Sequence, residues 1–163
     1  AFSQLGETVC CGGMEVTGFR IPHDAAEPCG YRIHTADDRY CAVCTDVGHV
    51  TAEIRAALDG CRMVLLEANY DDQMLRFGRY PLALKERVLS ANGHLSNDDS
   101  GREVCRLVRQ GTTHILLGHL SQDNNRPQLA YDTVAAAVTD YTAGSDYALG
   151  VAPVATGGGA VIF

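Results

Sequence analysis

One short apolar run that stops on a glycine and a histidine constrains this chain more than any other feature. In residues 113–125, THILLGHLSQDNN, positions 115–117 have the length and composition of a buried strand, and Gly118 ends it. His119, Ser121, Asp123, Asn124 and Asn125 follow at once. In open α/β sheets, ligands sit just beyond the carboxyl ends of strands, where side chains converge on a crevice. A histidine there, after a residue that lets the backbone turn sharply, is placed for chemistry. Its other reading is a strand-capping histidine bonded to loop backbone.

The same punctuation recurs upstream. Residues 40–44 form an apolar strand with Thr45 and Asp46 at its end, and residues 61–66 another that runs into Glu67, Asn69 and Asp71. Residues 7–22 read as two strands about a Gly12-Gly13 turn, with Met14, Val16 and Phe19 inward. Pro22 closes the second, and His23-Asp24 come next. A further strand covers 31–33, with a turn at 36–38.

Helix signals lie between these runs. Thr51 N-caps a helix with Ile54, Ala57 and Leu58 apolar, and Gly60 stops it. A short helix passes through Met74 and Leu75. Pro81 opens a longer one with Leu82, Leu84, Val88 and Leu89 inward, ended by Gly93. The next runs to Arg109. Its cap is either Ser100, with Glu103 at capping-box spacing, or one of residues 97–99. A last helix starts at Pro127 and extends to about Tyr141, and strand-like pieces at 147–151 and 160–163 flank the glycines 157–159. Strands first, then strand–helix alternation, predict a layered α/β domain with a mixed sheet.

At 163 residues the chain makes one domain with a proper core. Its first residues, AFSQLG, lack a methionine and read as a cut end. A formal charge of −7 with thirteen dispersed basic residues argues against an extended nucleic-acid surface. It leaves room for a site where metal ions supply the positive charge. The seven cysteines are scattered and no secretory signal precedes them, so a reduced, cytoplasmic setting without disulfides is expected. Cys41 and Cys44 have knuckle spacing, but on a strand residues three apart face opposite sides and no second pair follows. No apolar run approaches the roughly 18 residues of a membrane span.

Ligand-type residues thus gather where strands and helices end: His23-Asp24, Asp46, Glu67 with Asn69 and Asp71, His94, and His119. Imidazole and carboxylate are common ligands of zinc and similar divalent ions. His34 and His114 lie away from such ends and read as structural or surface residues; His49 is nearer, with surface and ligand readings both open.

The segments IPHDAAEPCGYRI, TDVGHV, LLEANYDDQML, GRYPLALKERVLSANGHLSN and LGHLSQDNN, in this order, resemble the metallo-β-lactamase-fold hydrolases of the YycJ/WalJ branch, relatives of ribonuclease Z and phosphodiesterases. The resemblance runs from about residue 14 to 135. It implies an αββα sandwich with a dinuclear metal site at one edge. By position, His23 is similar to a histidine ligand of one ion, Asp46 to the carboxylate bridging both, and His119 to the last ligand, on the second ion. His94 resembles the non-ligand histidine that assists at the scissile phosphate or leaving oxygen. Ser96 and Asn97, before a helix, either bind phosphate or cap that helix. Glu67, Asn69 and Asp71 either support the ligands or fix a loop.

The branch's His-x-His-x-Asp-His loop is missing, since no His-x-His occurs in these 163 residues. The chain is therefore expected to be the C-terminal part, 1–163, of a single domain whose first half lies upstream. What the resemblance implies for the complete protein is a phosphodiesterase or exonuclease on DNA, working through a metal-activated hydroxide with two ions of zinc or manganese, iron being a further candidate. Two alternatives stand beside it. One is hydrolysis of a small ester, thioester or lactone on the same fold. The other is a catalytically incomplete piece that acts as an assembly module, pairing with its missing half or with itself.

Overall fold

The computed structural model describes residues 5–153. Gly12 and Gly13, with φ of 58° and 80°, form the left-handed two-residue turn that suits a right-twisted hairpin. They join β1 (Thr8–Cys11) to β2 (Met14–Arg20), with Cys11 opposite Met14. β3 (Cys29–His34) and β4 (Tyr40–Cys44) continue antiparallel. β5 (Met63–Glu67), β6 (His114–Gly118) and β7 (Ala148–Val151) then add in parallel, so the seven strands lie in chain order. The sheet is mixed, as the order of sequence signals predicts. Of the two expected tail strands, the first is β7; the second, at 160–163, lies outside the described residues together with glycines 157–159.

Alternation along the strands separates two faces. Ala42, Cys44, Val64, Leu66, Ile115 and Leu117 are at most 3% exposed. They share one core with Ile54 and Leu58 of α1 (Ala52–Leu58), Val104 and Leu107 of α4 (Asn97–Arg109), and Ala130 and Val134 of α5 (Pro127–Ala137). Gly101 lets α4 and α5 approach closely, since a Cβ there would lie 2.8 Å from that of Ala137. On the opposite face Ile33, Val43, Met63, Leu65 and Leu116 are only half-buried.

Several local expectations are corrected. Met14 is 40% exposed because it stands at the hairpin tip, beyond the helical layer. α3 (Leu82–Leu89) buries only Val88 fully, with Leu84, against Tyr70 and Leu75; α2 (Asp72–Phe77) supplies the latter. Leu82 and Leu89 face outward, because this small satellite cluster covers just one stripe of the helix. Pro81 is the N-cap of α3, not its first residue. α4 is capped by Ser96, whose hydroxyl accepts from the Asp99 amide at 3.0 Å and donates to the Asp99 carboxylate. Ser100 is already inside that helix, its hydroxyl donating to the Ser96 and Glu67 carbonyls. α5 ends at Ala137, short of Tyr141. All seven cysteines are free thiols, and burial pushes Cys44 up to about 12. Among the described residues, no helix is long and apolar enough to cross a membrane.

Candidate metal centre

Parallel pairing aligns the carboxyl ends of β4, β5 and β6, with Cys44 beside Leu66, Leu66 beside Leu117, and Glu67 beside Gly118. The first residues past β4 and β6 therefore emerge at one rim. β2 runs antiparallel to β3, and β3 to β4, so the chain leaving β2 toward His23 reaches the same rim. Two residues there hold left-handed backbone without being glycine: Asp46 at φ 60° and His119 at φ 55°. Such conformations cost on the order of 1–3 kcal/mol and persist where the surroundings demand a particular side-chain direction.

That direction is inward. Asp46 Oδ1 lies 3.6 Å from Nε2 of His23 and 3.6 Å from Nε2 of His119. His94, on the loop before α4, stands between the two imidazoles, its ring centre 5.0 Å from that of His23 and 5.2 Å from that of His119. His23, Asp46 and His94 each offer a ligand atom within 4.8 Å of the others. The structure thus brings His23, Asp46, His94 and His119 together at one place.

The three rings are held in the same sense. His23 Nδ1 meets the Gly93 carbonyl at 3.1 Å. Nδ1 of His94 and of His119 meet one oxygen of Glu67, Oε1, at 2.7 and 2.6 Å. Carbonyl and carboxylate oxygens carry no proton to give, so each Nδ1 is the donor. Each Nε2 lone pair is left for a cation, the arrangement in which outer partners fix metal-binding histidines. Nitrogen and carboxylate donors of this kind suit zinc, manganese or iron, and the residues present fit a divalent ion.

Glu67 is the support of the centre. It is fully buried, and Oε2 also accepts from the Val47 amide at 2.6 Å. Burial pushes its carboxyl up, but the bonds from His119 and His94 more than offset this and hold it below the ordinary value. The same Glu67 bond raises His119 against the opposing effect of burial. Glu67 also has ligand-like distances to both rings. Its oxygens are already occupied by these donors, which makes it an orienting group and not a ligand. Sequence reasoning left Glu67 between ligand support and loop fixing. The signal was an acid directly following the buried run of β5.

The other expected residues divide. Ser96 is engaged as the α4 cap. Asn97 is fully buried, and its amide exchanges hydrogen bonds with Asn125 at 3.1 and 2.8 Å. That burial closes Asn97 to a phosphate and corrects the phosphate-binding reading for it. The Asn69 amide donates to the His119 carbonyl at 2.7 Å, and Asp71 caps α2. His34 pairs with Glu15 and Asp38, His114 with Thr113, and His49 with the Ala91 carbonyl, so none of the three joins the cluster. A pair not foreseen is Asp24 with Arg87, bidentate at 2.5 and 3.0 Å; the guanidinium holds Asp24 down to about 2. Both line a cleft of about 510 Å³ with His94, His119, Tyr80 and Leu84.

A family model described as a beta-lactamase superfamily domain matches residues 3–119, and the chain belongs to that family. Among characterised relatives it is 39% identical to the exodeoxyribonuclease YycJ of Bacillus anthracis over 131 residues, 80% of this chain and 49% of that protein. It is 37% identical to the exodeoxyribonuclease WalJ of Streptococcus pneumoniae, with 80% and 48% covered. The chain thus spans about half the length of these relatives. Solved structures agree on the fold. The metallo-beta-lactamase fold protein YhfI of Bacillus subtilis superposes with a TM-score of 0.65 at 14% identity, covering 91% of this chain and 51% of that one. Zinc-bound PqqB of Methylobacterium extorquens gives 0.60 at 19% identity, with 91% and 48% covered.

Proposed function

We propose that this chain carries part of the centre of a divalent-metal-dependent phosphodiesterase that acts on nucleic acid, DNA foremost, as an exonuclease. The observation that carries the reading is the convergence of the His23 and His119 Nε2 atoms on the Asp46 carboxylate, with a ring nitrogen of His94 close by. The exodeoxyribonuclease names of the YycJ and WalJ relatives support the substrate class. His23, Asp46 and His119 would hold the metal. A divalent ion held there activates water and polarises a phosphoryl oxygen. His94, its Nδ1–H held by Glu67, would present Nε2 toward the substrate and, when that nitrogen carries a second proton, pass it to the departing oxygen, leaving the ring neutral with Nδ1–H still on Glu67. Glu67 keeps both rings turned for these roles.

Two imidazole ligands and one bridging carboxylate are few donors for two ions. We take the rest to come from chain N-terminal to residue 1, with residues 1–163 forming the C-terminal part of one domain. The half-buried apolar row Ile33, Val43, Met63, Leu65 and Leu116 supports this as the face on which a second sheet packs. Expressed alone, the chain should self-associate through that face in sedimentation.

The test uses the full-length protein, assayed for bound zinc, manganese and iron and for cleavage of DNA ends and bis-p-nitrophenyl phosphate. Absence of metal together with failure on both substrates refutes the reading. His94→Ala should lower turnover about 10²- to 10⁴-fold while metal content holds; loss of metal as well would make His94 a ligand.

A further inference from the structure

A second groove opens beside the imidazole cleft and shares Gln122 and Asp123 with it. It encloses about 490 Å³, and its other walls include Phe77, Arg79 and Arg126. We infer that this groove takes the single strand leading away from the scissile phosphodiester, with a base on the Phe77 ring and phosphates on Arg79 and Arg126. The inference rests on the phosphodiesterase reading above and assigns its substrate a path.

The first observation is the ring. Phe77, the last residue of α2, is 83% exposed, far more than any other aromatic residue of the described chain. A lone exposed apolar side chain needs no explanation, so its neighbours decide the matter. Arg79 and Arg126 make no side-chain hydrogen bond or ion pair among the described residues. Arg39, Arg55, Arg76, Arg87, Arg102, Arg106 and Arg109, by contrast, are each tied to a carboxylate. In a chain of net charge −7, two unneutralised guanidinium groups on one groove mark a place where a polyanion can approach. The acid on the same wall, Asp123, accepts a hydrogen bond from the Tyr80 hydroxyl at 3.3 Å.

The fold makes this juxtaposition tight. Gly78 brings the end of α2 against the loop after β6, where a Cβ would lie 2.8 Å from Asn124 Oδ1. The Asp71 amide bonds the Asn124 carbonyl at 2.9 Å, which anchors the start of α2 to the same loop. Phe77 and Arg79 are thereby set beside Gln122 and Arg126, and the wall they form runs on into the cleft of His94 and His119. An aromatic platform with arginines along the backbone track is how single strands are held with little sequence preference. A base can lie on the ring only when it is unstacked from a duplex, which selects a single-stranded segment.

The experiment measures binding of a fluorescein-labelled, phosphorothioate-linked oligothymidylate to the full-length protein by anisotropy across a salt series. Phe77→Ala should weaken binding about 5- to 100-fold. Arg79→Gln and Arg126→Gln should each weaken it and flatten the logarithmic salt slope by about 0.7. Two controls lie outside the groove: Leu82→Ala, also an exposed apolar residue, and Arg20→Gln, whose side chain is likewise unpaired among the described residues. They should leave affinity within about twofold, the scatter expected of surface changes. The inference is overturned if groove variants bind like the unaltered protein, if the controls weaken binding as much, or if the unaltered protein does not bind the strand. Hydrolysis of bis-p-nitrophenyl phosphate by the unaltered protein is measured separately. Its absence, together with absence of bound metal and of cleavage of DNA ends, removes the phosphodiesterase reading, while the anisotropy result still decides the groove.

Discussion

Among the described residues imidazole meets carboxylate at two places, and the two are built differently. At the surface, His34 has Glu15 at 3.2 Å from Nδ1 and Asp38 at 2.8 Å from Nε2, and its ring stacks on Tyr40 at 4.4 Å. Both ring nitrogens are occupied. At the rim of the parallel strands, one fully buried carboxylate, Glu67, takes only the Nδ1 edges of two histidines. The partners are alike in chemistry, yet the first arrangement uses up the ring and the second leaves one nitrogen of each ring presented. Burial makes the second expensive to disturb, and convergence on Asp46 makes it useful.

The same substitution on each side tests this contrast most severely. Glu67→Gln puts an amide where two Nδ1 donors and a backbone amide expect an acceptor, at a side chain that water does not reach. It should cost about 3–5 kcal/mol in denaturant unfolding, as for a buried ionic group deprived of its partner. Metal affinity should fall about 10- to 100-fold through loss of ring orientation. Glu15→Gln, on an exposed pair, should leave the unfolding midpoint nearly where it is. Equal effects at the two positions would break the comparison.

A neutral pair near the same rim sharpens it. Asn97→Ala strands part of the buried Asn125 amide and should cost about 1–3 kcal/mol in unfolding, as an unsatisfied buried polar group does. A phosphate-binding role would instead raise KM with little loss of stability.

The smallest effect concerns pH. The hydrogen bond that His34 donates to Asp38, then the one it donates to Glu15, raises its value above the ordinary 6.5. A raised folded-state value means that the cluster's stabilisation is complete below about pH 6.5, the unfolded value, and is lost as pH climbs through the folded one. His34→Gln should flatten that part of the stability–pH curve by a small amount, and an NMR titration of the ring should show the upward displacement directly.

Much of the frame was legible in local signals. The Gly12-Gly13 hairpin, the apolar runs that became β4, β5 and β6, and the strand-end positions of His23, Asp46 and His119 could all be read from spacing. The misjudged residues depend on what packs from elsewhere. Met14, Leu82 and Leu89 are apolar at plausible positions, but no element among the described residues covers them. Ser96 prevailed over Ser100 because the Ser100 hydroxyl is drawn into the interior by the Glu67 carbonyl, 33 residues away in sequence. Glu67 itself carries no signal of how many histidines it will meet, since His94 and His119 arrive from 27 and 52 residues downstream. The Asp24–Arg87 pair spans 63 residues and lies beyond any local pattern.

The central claim is that two imidazoles meet across Asp46 to hold a cation. Elemental analysis and calorimetric titration with zinc or manganese, on the full-length protein and its Asp46→Ala variant, test it most directly. Tight binding by the unaltered protein, with sharply reduced occupancy in the variant at unchanged folding, is the predicted result. Undiminished metal binding in Asp46→Ala, or none in the unaltered protein, would contradict it.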